Sequence, residues 1–231
     1  MNIEINSKSY KIKKAVATLL EALIYIKENT EPTLNFDYGC KSGVCGACSI
    51  RVNDKEKLAC SYTPQDGDKI EPLKYYPQKR DLIVDKSTQK ELLKRLKANL
   101  INYSEQVLTT QDESKTQIQS DCILCSSCYS ACPVIEVNPL FAGPFALTKT
   151  YKYSIDQREG ATKEHIDTIQ TNGVWDCTLC NECTLACPQG IDSKTDIVNL
   201  KNLSAQNGYM DPSFANTNFG GGFGFDLNGG F

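Results

Sequence analysis

The chain of 231 residues is long enough for two small domains. With 40% apolar and 23% charged residues, its composition is that of a globular protein, which excludes a chain that is disordered throughout or embedded in a membrane. The net charge of -3 leaves no basic footprint for nucleic acid. No apolar run reaches the ~20 residues that cross a bilayer, and the N-terminal residues do not resemble a secretory signal. We therefore expect a reducing compartment, with membrane contact only through a partner.

Residues 1–76 are predicted to form a small mixed domain. Apolar and polar residues alternate on both sides of Ser7–Ser9, which predicts two strands joined by a turn. Thr18 and Glu21 have the spacing of a helix capping box, and the apolar residues that follow recur at helical spacing. This pattern predicts one helix that ends at about Asn29.

Three further strands are predicted after a cysteine-rich loop. Residues 49–52 and 57–59 flank a polar turn at Asn53-Asp54, and residues 69–71 follow the turn Asp66-Gly67-Asp68. Together with the first two strands they predict a small sheet packed on one helix.

Residues 77–120 are predicted to be a linker followed by a helix, because four leucines there form one apolar stripe. These leucines are Leu92, Leu93, Leu96 and Leu100. The charged residues from Lys86 to Lys97 predict a solvated helix face, with partner docking as the other interpretation.

Residues 121–203 show little strand alternation and predict helices joined by short loops, so the fold class is α+β with an all-α second domain. Residues 204–231 are predicted to be a tail. Its part from Gly208 to Phe231 holds 7 of the 15 glycines and 5 of the 8 phenylalanines, a composition that favours disorder. The other interpretation is a docking strip whose anchors are Phe214, Phe219, Phe223, Phe225 and Phe231.

The 12 cysteines fall into three groups of four, and the N-terminal group has the spacing C-x4-C-x2-C with a fourth cysteine after 11 residues. We call Cys40, Cys45, Cys48 and Cys60 the first set. This is the plant-type spacing for a [2Fe-2S] cluster. Such a loop must curl around the cluster and turn its N–H groups toward sulfur. The glycines that allow this conformation are Gly39, Gly43 and Gly46.

The other eight cysteines lie in two copies of D-C-x-L-C-x2-C-x2-A-C-P, at residues 121–133 and 176–188. This is the bacterial signature for [4Fe-4S] clusters, in which the fourth cysteine of each copy binds the other cluster. The second set is therefore Cys122, Cys125, Cys128 and Cys187. The third set is Cys132, Cys177, Cys180 and Cys183.

Zinc sites and disulfides are the other interpretations of these cysteines. Zinc usually takes paired C-x2-4-C motifs, and a reducing compartment disfavours disulfides. The single histidine, His165, lies outside every set and is expected to be a packed or surface residue, and a Rieske centre would need two. No phosphate-binding or zinc-protease motif is present, so we expect no substrate chemistry on this chain.

A plant-type centre followed by two cubane motifs resembles the iron-sulfur subunit of succinate dehydrogenases and fumarate reductases. The likeness covers about residues 1–203, and the loop 38–48 is similar to that family's first-cluster loop. Residues 81–85 (DLIVD), Asn138-Pro139 and Gly143-Pro144 are similar to other landmarks of the family.

The resemblance implies an N-terminal β-grasp domain and an electron-transfer role. It implies a partner flavoprotein with FAD, where succinate and fumarate interconvert, and a membrane-side subunit that handles a quinone or thiol. The expected location is at the cytoplasmic membrane, peripheral to it and on its cytoplasmic side. A free electron carrier of polyferredoxin type and a structural metal-binding adaptor are the rival functions.

Two departures from the common quinone-linked members stand out. Their third centre is [3Fe-4S], with no cysteine at the position that Cys180 fills here, so we expect [4Fe-4S]. Their quinone-side Ser, Trp and His correspond here to Val134, Val137 and Thr178. The pattern is more similar to the branch with a cysteine-rich membrane-side subunit, which includes methylmenaquinol-linked and thiol-linked fumarate reductases.

Overall fold

The computed structural model describes residues 1–215, and its N-terminal part is a five-stranded sheet with one helix across it. The strand order is β2-β1-β5-β3-β4, in which β1 and β5 pair in parallel and all other pairs are antiparallel. The strands are β1 (Asn2–Ile5), β2 (Lys8–Lys11), β3 (Ser49–Val52), β4 (Lys55–Leu58) and β5 (Asp68–Glu71). The predicted β-grasp fold of this part is confirmed.

The first hairpin forms as predicted, with Ile3 opposite Tyr10. Its turn consists of Asn6 and Ser7, whose φ angles are 47° and 68°, so it lies before the expected centre at Ser7–Ser9. A two-residue turn with positive φ at both positions matches the twist of the strands it joins.

Helix α1 (Leu19–Asn29) packs its apolar face on the sheet, and it begins and ends where the sequence predicts. The hydroxyl of Thr18 accepts a hydrogen bond from the Glu21 N–H at 3.2 Å. The Glu21 carboxylate accepts from the Ala17 N–H at 2.8 Å, one residue before the donor that a standard capping box uses.

A second, two-stranded sheet of β6 (Gln78–Arg80) and β7 (Ile83–Val84) was not predicted, because strands this short carry no alternation. It lies against the loop after α1, where Asn35 donates its N–H to the Asp81 carboxylate at 2.8 Å and accepts from the Leu82 N–H at 3.1 Å.

Residues after β7 are helical, as predicted. The first helices are α2 (Ser87–Arg95), α3 (Thr110–Ser120), α4 (Ser127–Ser130), α5 (Pro133–Val137) and α6 (Pro144–Ser154). They are followed by α7 (Thr162–Thr168), a 3-10 turn (Val174–Asp176), α8 (Glu182–Leu185), α9 (Ser193–Gln206) and α10 (Pro212–Ala215). Helices α6 and α9 pack together at the centre, around Phe145, Leu147, Ile197 and Leu200.

Two predictions for residues 77–120 need correction. Helix α2 ends at Arg95, so Leu100 does not extend its apolar stripe. The predicted solvated face excludes Lys86, which is half-buried just before α2 and donates a hydrogen bond to the Ser49 hydroxyl at 3.0 Å.

The domain boundaries at residues 76, 120 and 203 stay predictions. Helix α9 crosses the last of them and ends at Gln206, and α10 lies within the predicted tail. Tail residues 216–231 lie outside the described part of the chain, so the choice between disorder and docking also stays a prediction. Across residues 1–215, none of the helices combines the length and apolar character that crossing a membrane requires.

Candidate metal centres

The first set lies at the edge of the N-terminal sheet. Cys40, Cys45 and Cys48 lie on the loop between α1 and β3, and Cys60 follows β4 after one residue. Cys40 and Cys45 are exposed, whereas Cys48 and Cys60 are buried. The structure thus brings the four predicted residues onto one loop and the strand beside it.

Backbone N–H groups of this loop point at cysteine sulfurs. Five of them donate at 3.2 to 3.4 Å, and three of these bonds converge on Cys40 Sγ. The donors are Cys40, Ser42, Gly43, Val44 and Cys45. The loop turns back on itself through positive φ angles at Lys41 (60°), Gly43 (77°) and Gly46 (68°). N–H groups so placed stabilise negative charge on sulfur.

Ionisation of these thiols follows their surroundings. Hydrogen bonds from Ser42, and then from Val44, lower the pKa of Cys40 to about 6. Burial raises the pKa of Cys48 to about 11. A buried thiol of this kind becomes a thiolate when a bound cation neutralises its charge, which is what iron provides.

The two repeats have the same backbone conformation. Leu124 and Ser126 have φ angles of 52° and 73°, and the equivalent Leu179 and Asn181 have 58° and 76°. Each repeat then begins a four-residue helix, α4 or α8, whose second residue is the third cysteine of the motif. The sequence repeat is therefore also a structural repeat, and α4 and α8 pack against each other.

The second set surrounds one cavity between the repeats. Cys122, Cys125 and Cys128 line it from the first repeat and Cys187 from the second, with apolar walls that include Phe145. Burial raises the pKa of Cys128 well above its usual value, and the neighbouring thiols of Cys125 and Cys122 raise it further. The fourth cysteine at this cavity, Cys187, therefore comes from the other repeat, as the spacing predicts.

The third set is close enough for its thiols to affect one another. Burial, followed by the nearby Cys177 and Cys132, raises the pKa of Cys183 to about 12. Burial also raises the pKa of Cys132 to about 11, and Cys177 and Cys180 add to this effect. Cys180 is exposed, as is Thr178 beside it.

The donors fit iron-sulfur clusters. Each set supplies four thiols with backbone N–H groups or apolar walls around them, and the second set encloses a cavity. Within residues 1–215, no three His, Cys, Asp or Glu side chains are arranged to hold a metal ion by themselves. His165 is fully buried and pairs with Glu159 at 2.8 Å, so it is the packed histidine that we expected.

The first and second sets are held side by side. A Cβ atom on Gly46 would lie 2.8 Å from Cys125 Cβ and 2.9 Å from Cys125 Cα, so only glycine allows this approach of the two loops. Ser49 donates its hydroxyl to the Cys125 carbonyl at 2.6 Å, and Lys86 donates to the same oxygen at 3.3 Å. Sequence patterns missed these contacts, although Lys86 directly follows the recognised DLIVD segment.

Comparison with known proteins agrees with this architecture. Residues 2–91 match the family described as 2Fe-2S iron-sulfur cluster binding domain. Residues 118–191 match the family described as 4Fe-4S dicluster domain. The two matches divide the chain as the sheet and the helices do.

Relatives over most of the chain point the same way. The fumarate reductase iron-sulfur subunit of Escherichia coli is 38% identical over 190 residues, or 77% of each chain. The 8-methylmenaquinol:fumarate reductase iron-sulfur subunit of Wolinella succinogenes is 34% identical over 207 residues, which cover 83% of this chain and 65% of that one. The succinate dehydrogenase iron-sulfur subunit of Paracoccus denitrificans is 30% identical over 215 residues, 87% and 82% of the two chains.

A solved structure supports the fold. A chain of the Mycobacterium smegmatis Sdh1 complex in the apo form superposes with a TM-score of 0.80 at 20% identity, covering 90% of this chain and 97% of that chain. Fold, motif order and relatives therefore agree, and the chain belongs to the family of fumarate reductase and succinate dehydrogenase iron-sulfur subunits.

Proposed function

We propose that this chain is the electron-transfer subunit of a succinate dehydrogenase or fumarate reductase complex. It would carry single electrons between the FAD of a flavoprotein subunit and a membrane-side subunit that handles a quinone or thiol. The observation that supports this most directly is the close approach of the first and second sets through Gly46 and Cys125, because electron transfer needs neighbouring centres in one rigid frame.

In this proposal each set of four cysteines holds one cluster. The first set would bind [2Fe-2S] and the second set [4Fe-4S]. Because Cys180 supplies a fourth thiol, the third set would bind [4Fe-4S] in place of [3Fe-4S]. When bound, the clusters supply one-electron oxidation and reduction. The chain itself holds them, orients its N–H groups toward the sulfurs and excludes water from the second set.

Exposure of the thiols supports a partner on each side. The first set has two exposed cysteines, Cys40 and Cys45, and the third set has the exposed Cys180. In the second set Cys125 is buried and the others are only partly exposed. Outer centres open to partners and a covered middle centre are what a relay between two subunits needs.

The membrane-side partner would belong to the cysteine-rich branch. Val137 is 88% exposed and Thr178 is exposed near the third set, where quinone-linked members have Trp and His. These side chains offer no proton donor or acceptor equivalent to His. We propose that the complex lies at the cytoplasmic side of the membrane, and that this chain attaches there through its partner.

Anaerobic affinity purification of the full chain from its native cells tests the proposal. We expect a large flavoprotein to co-purify and about 10 iron atoms per chain with matching acid-labile sulfide. About 9 iron atoms with a [3Fe-4S] EPR signal would contradict the four-iron third centre. A soluble monomer with reversible redox signals would support the free carrier instead, and a colourless zinc-only protein would support the structural adaptor.

A further inference from the structure

Lys86 lies between the first two cysteine sets. It follows β7 and precedes α2, and its ammonium enters the contact between the sheet and the helices. Lys86 Nζ donates to the Ser49 hydroxyl at 3.0 Å and to the Cys125 carbonyl at 3.3 Å. Ser49 directly follows Cys48 of the first set, and Cys125 belongs to the second set. One side chain thus reaches the surroundings of both centres.

The surroundings of Lys86 combine partial burial with negative neighbours. Ser49 is 5% exposed and Cys125 is 8% exposed, so the charged end of Lys86 lies where water screens it poorly. Burial has the largest effect on the pKa of Lys86 and lowers it from its usual value, and the negative charge of Asp37 opposes this change. Both hydrogen-bond acceptors are oxygens, to which an ammonium donates more strongly than a neutral amine does.

We propose that Lys86 is a fixed positive charge between the first two centres and stabilises their reduced states, that of the second set most. This inference rests on the proposed function, because it requires the clusters to be bound. One-electron reduction adds one negative charge and neither makes nor breaks a bond. A cation held nearby lowers the energy of that added charge, so it raises the reduction potential.

The second set should respond more strongly than the first. Lys86 binds the carbonyl of a cysteine in the second set directly, but it reaches the first set only through Ser49. At an effective dielectric constant near 20, a unit charge roughly 12 Å from the cluster changes the ratio of reduced to oxidised cluster by about tenfold. For one electron, tenfold corresponds to about 59 mV.

Redox titration of the purified complex, followed by EPR, tests this role. In Lys86→Met we expect the potential of the middle [4Fe-4S] cluster to fall by about 59 mV and that of [2Fe-2S] to fall less. Lys86→Arg, which keeps the charge, should restore both potentials. Lys90→Met removes an exposed lysine from α2 and is the matched control, for which we expect no change.

Further variants separate the charge from the hydrogen bonds. Lys86→Gln keeps an N–H donor without the charge, and Ser49→Ala removes one acceptor while the charge stays. We expect Lys86→Gln to lower the potential of the middle cluster more than Ser49→Ala does. If Lys86→Met does not assemble, this second pair gives the same comparison.

Several outcomes would overturn the role of Lys86 and leave the proposed function in place. These are unchanged potentials in a fully loaded Lys86→Met or Lys86→Gln complex, an equal fall in Lys90→Met, or no restoration by arginine. A wild-type complex without iron and acid-labile sulfide would overturn the proposed function itself, and the role of Lys86 with it.

Discussion

Asp196 has a buried carboxylate with too few hydrogen bonds to stabilise its charge. It lies on α9 with 3% of its surface exposed, and its Oδ1 accepts a hydrogen bond from Gln119 at 2.8 Å. Within residues 1–215 its other oxygen, Oδ2, has no hydrogen bond of good geometry, although the buried Thr148 hydroxyl lies near the carboxylate. Burial raises the pKa of Asp196 to about 6, although the bond from Gln119 acts against this. The charged form is therefore disfavoured in the folded protein.

Replacing Asp196 by a neutral residue should stabilise the protein at pH values above the pKa of this carboxyl. A carboxyl whose pKa is raised by folding contributes stability below its unfolded pKa of 3.8, and this contribution is lost as the pH rises through about 6. We expect Asp196→Asn to gain roughly 3 kcal/mol at pH 8 and about half of that at pH 5. Thermal unfolding of the anaerobic protein at both pH values measures the difference.

The exposed Glu91→Gln on α2 controls for the change in net charge. A gain from Asp196→Asn that is equal at pH 5 and pH 8 would show that burial of this carboxylate does not limit stability.

Residue spacing predicts which cysteines act together but not what lies around them. The interchange of Cys132 and Cys187 follows from the motif, and the structure brings Cys187 to the cavity of the first repeat. Ser49, Lys86 and Gly46 contact Cys125 from parts of the chain far away in sequence. No period or motif encodes such contacts, because they depend on how the sheet packs against the helices.

At the level of elements, the two repeats share a backbone but use different side chains. Ser126 and Asn181 occupy the same left-handed position before α4 and α8. The Ser126 hydroxyl accepts hydrogen bonds from Tyr76 and Gln89, both at 3.0 Å, and Ser126 is 1% exposed. Asn181 is half-buried, and its side chain makes no hydrogen bond within residues 1–215. Glycine fits the backbone at both positions.

Substitution by glycine should therefore affect stability differently in the two repeats. We expect Ser126→Gly to destabilise the loaded protein by about 1 to 3 kcal/mol, because the buried Tyr76 hydroxyl loses its acceptor and the partly buried Gln89 amide loses one of its two. Asn181→Gly should stay within about 1 kcal/mol of the wild type, since it removes only side-chain strain and adds chain entropy. Loss of the visible cluster absorbance on heating reports both. Equal destabilisation would mean that the hydrogen bonds of Ser126 do not support its loop.

Helices and strands whose apolar residues recur at regular spacing were predicted, whereas short or mostly polar elements were missed. The first hairpin and α1 have apolar residues at regular spacing, and both form as expected. Helix α3 was missed as a separate element, since it is mostly polar and its capping box pairs Thr109 with Asp112 where Glu or Gln is usual. The capping box is visible in the sequence, but no apolar stripe follows it to indicate a helix.

For the whole molecule, the proposed relay begins at the exposed first set. Replacing Cys45 by Ser should interrupt electron transfer there, because it removes one of the four thiols that would hold [2Fe-2S]. We expect quinone- or thiol-linked turnover to fall to background, while succinate still binds to the partner and reduces its flavin. Assays of both steps on the same complex measure this split.

Lys57→Gln, a change to an exposed side chain on β4 of the same sheet, is the control and should keep both steps. Full coupled turnover in a Cys45→Ser complex that lacks the [2Fe-2S] signal would contradict the relay.

The shared cavity between the repeats has a consequence for biosynthesis. Its walls come from residues 122–148 and from residues 187–193, so a nascent chain cannot close it until almost the entire helical region has left the ribosome. A translation product that stops before residue 187 would expose three thiols of the middle site to oxidation. Iron insertion into that site therefore has to wait until Cys187 has been made and has folded against the first repeat.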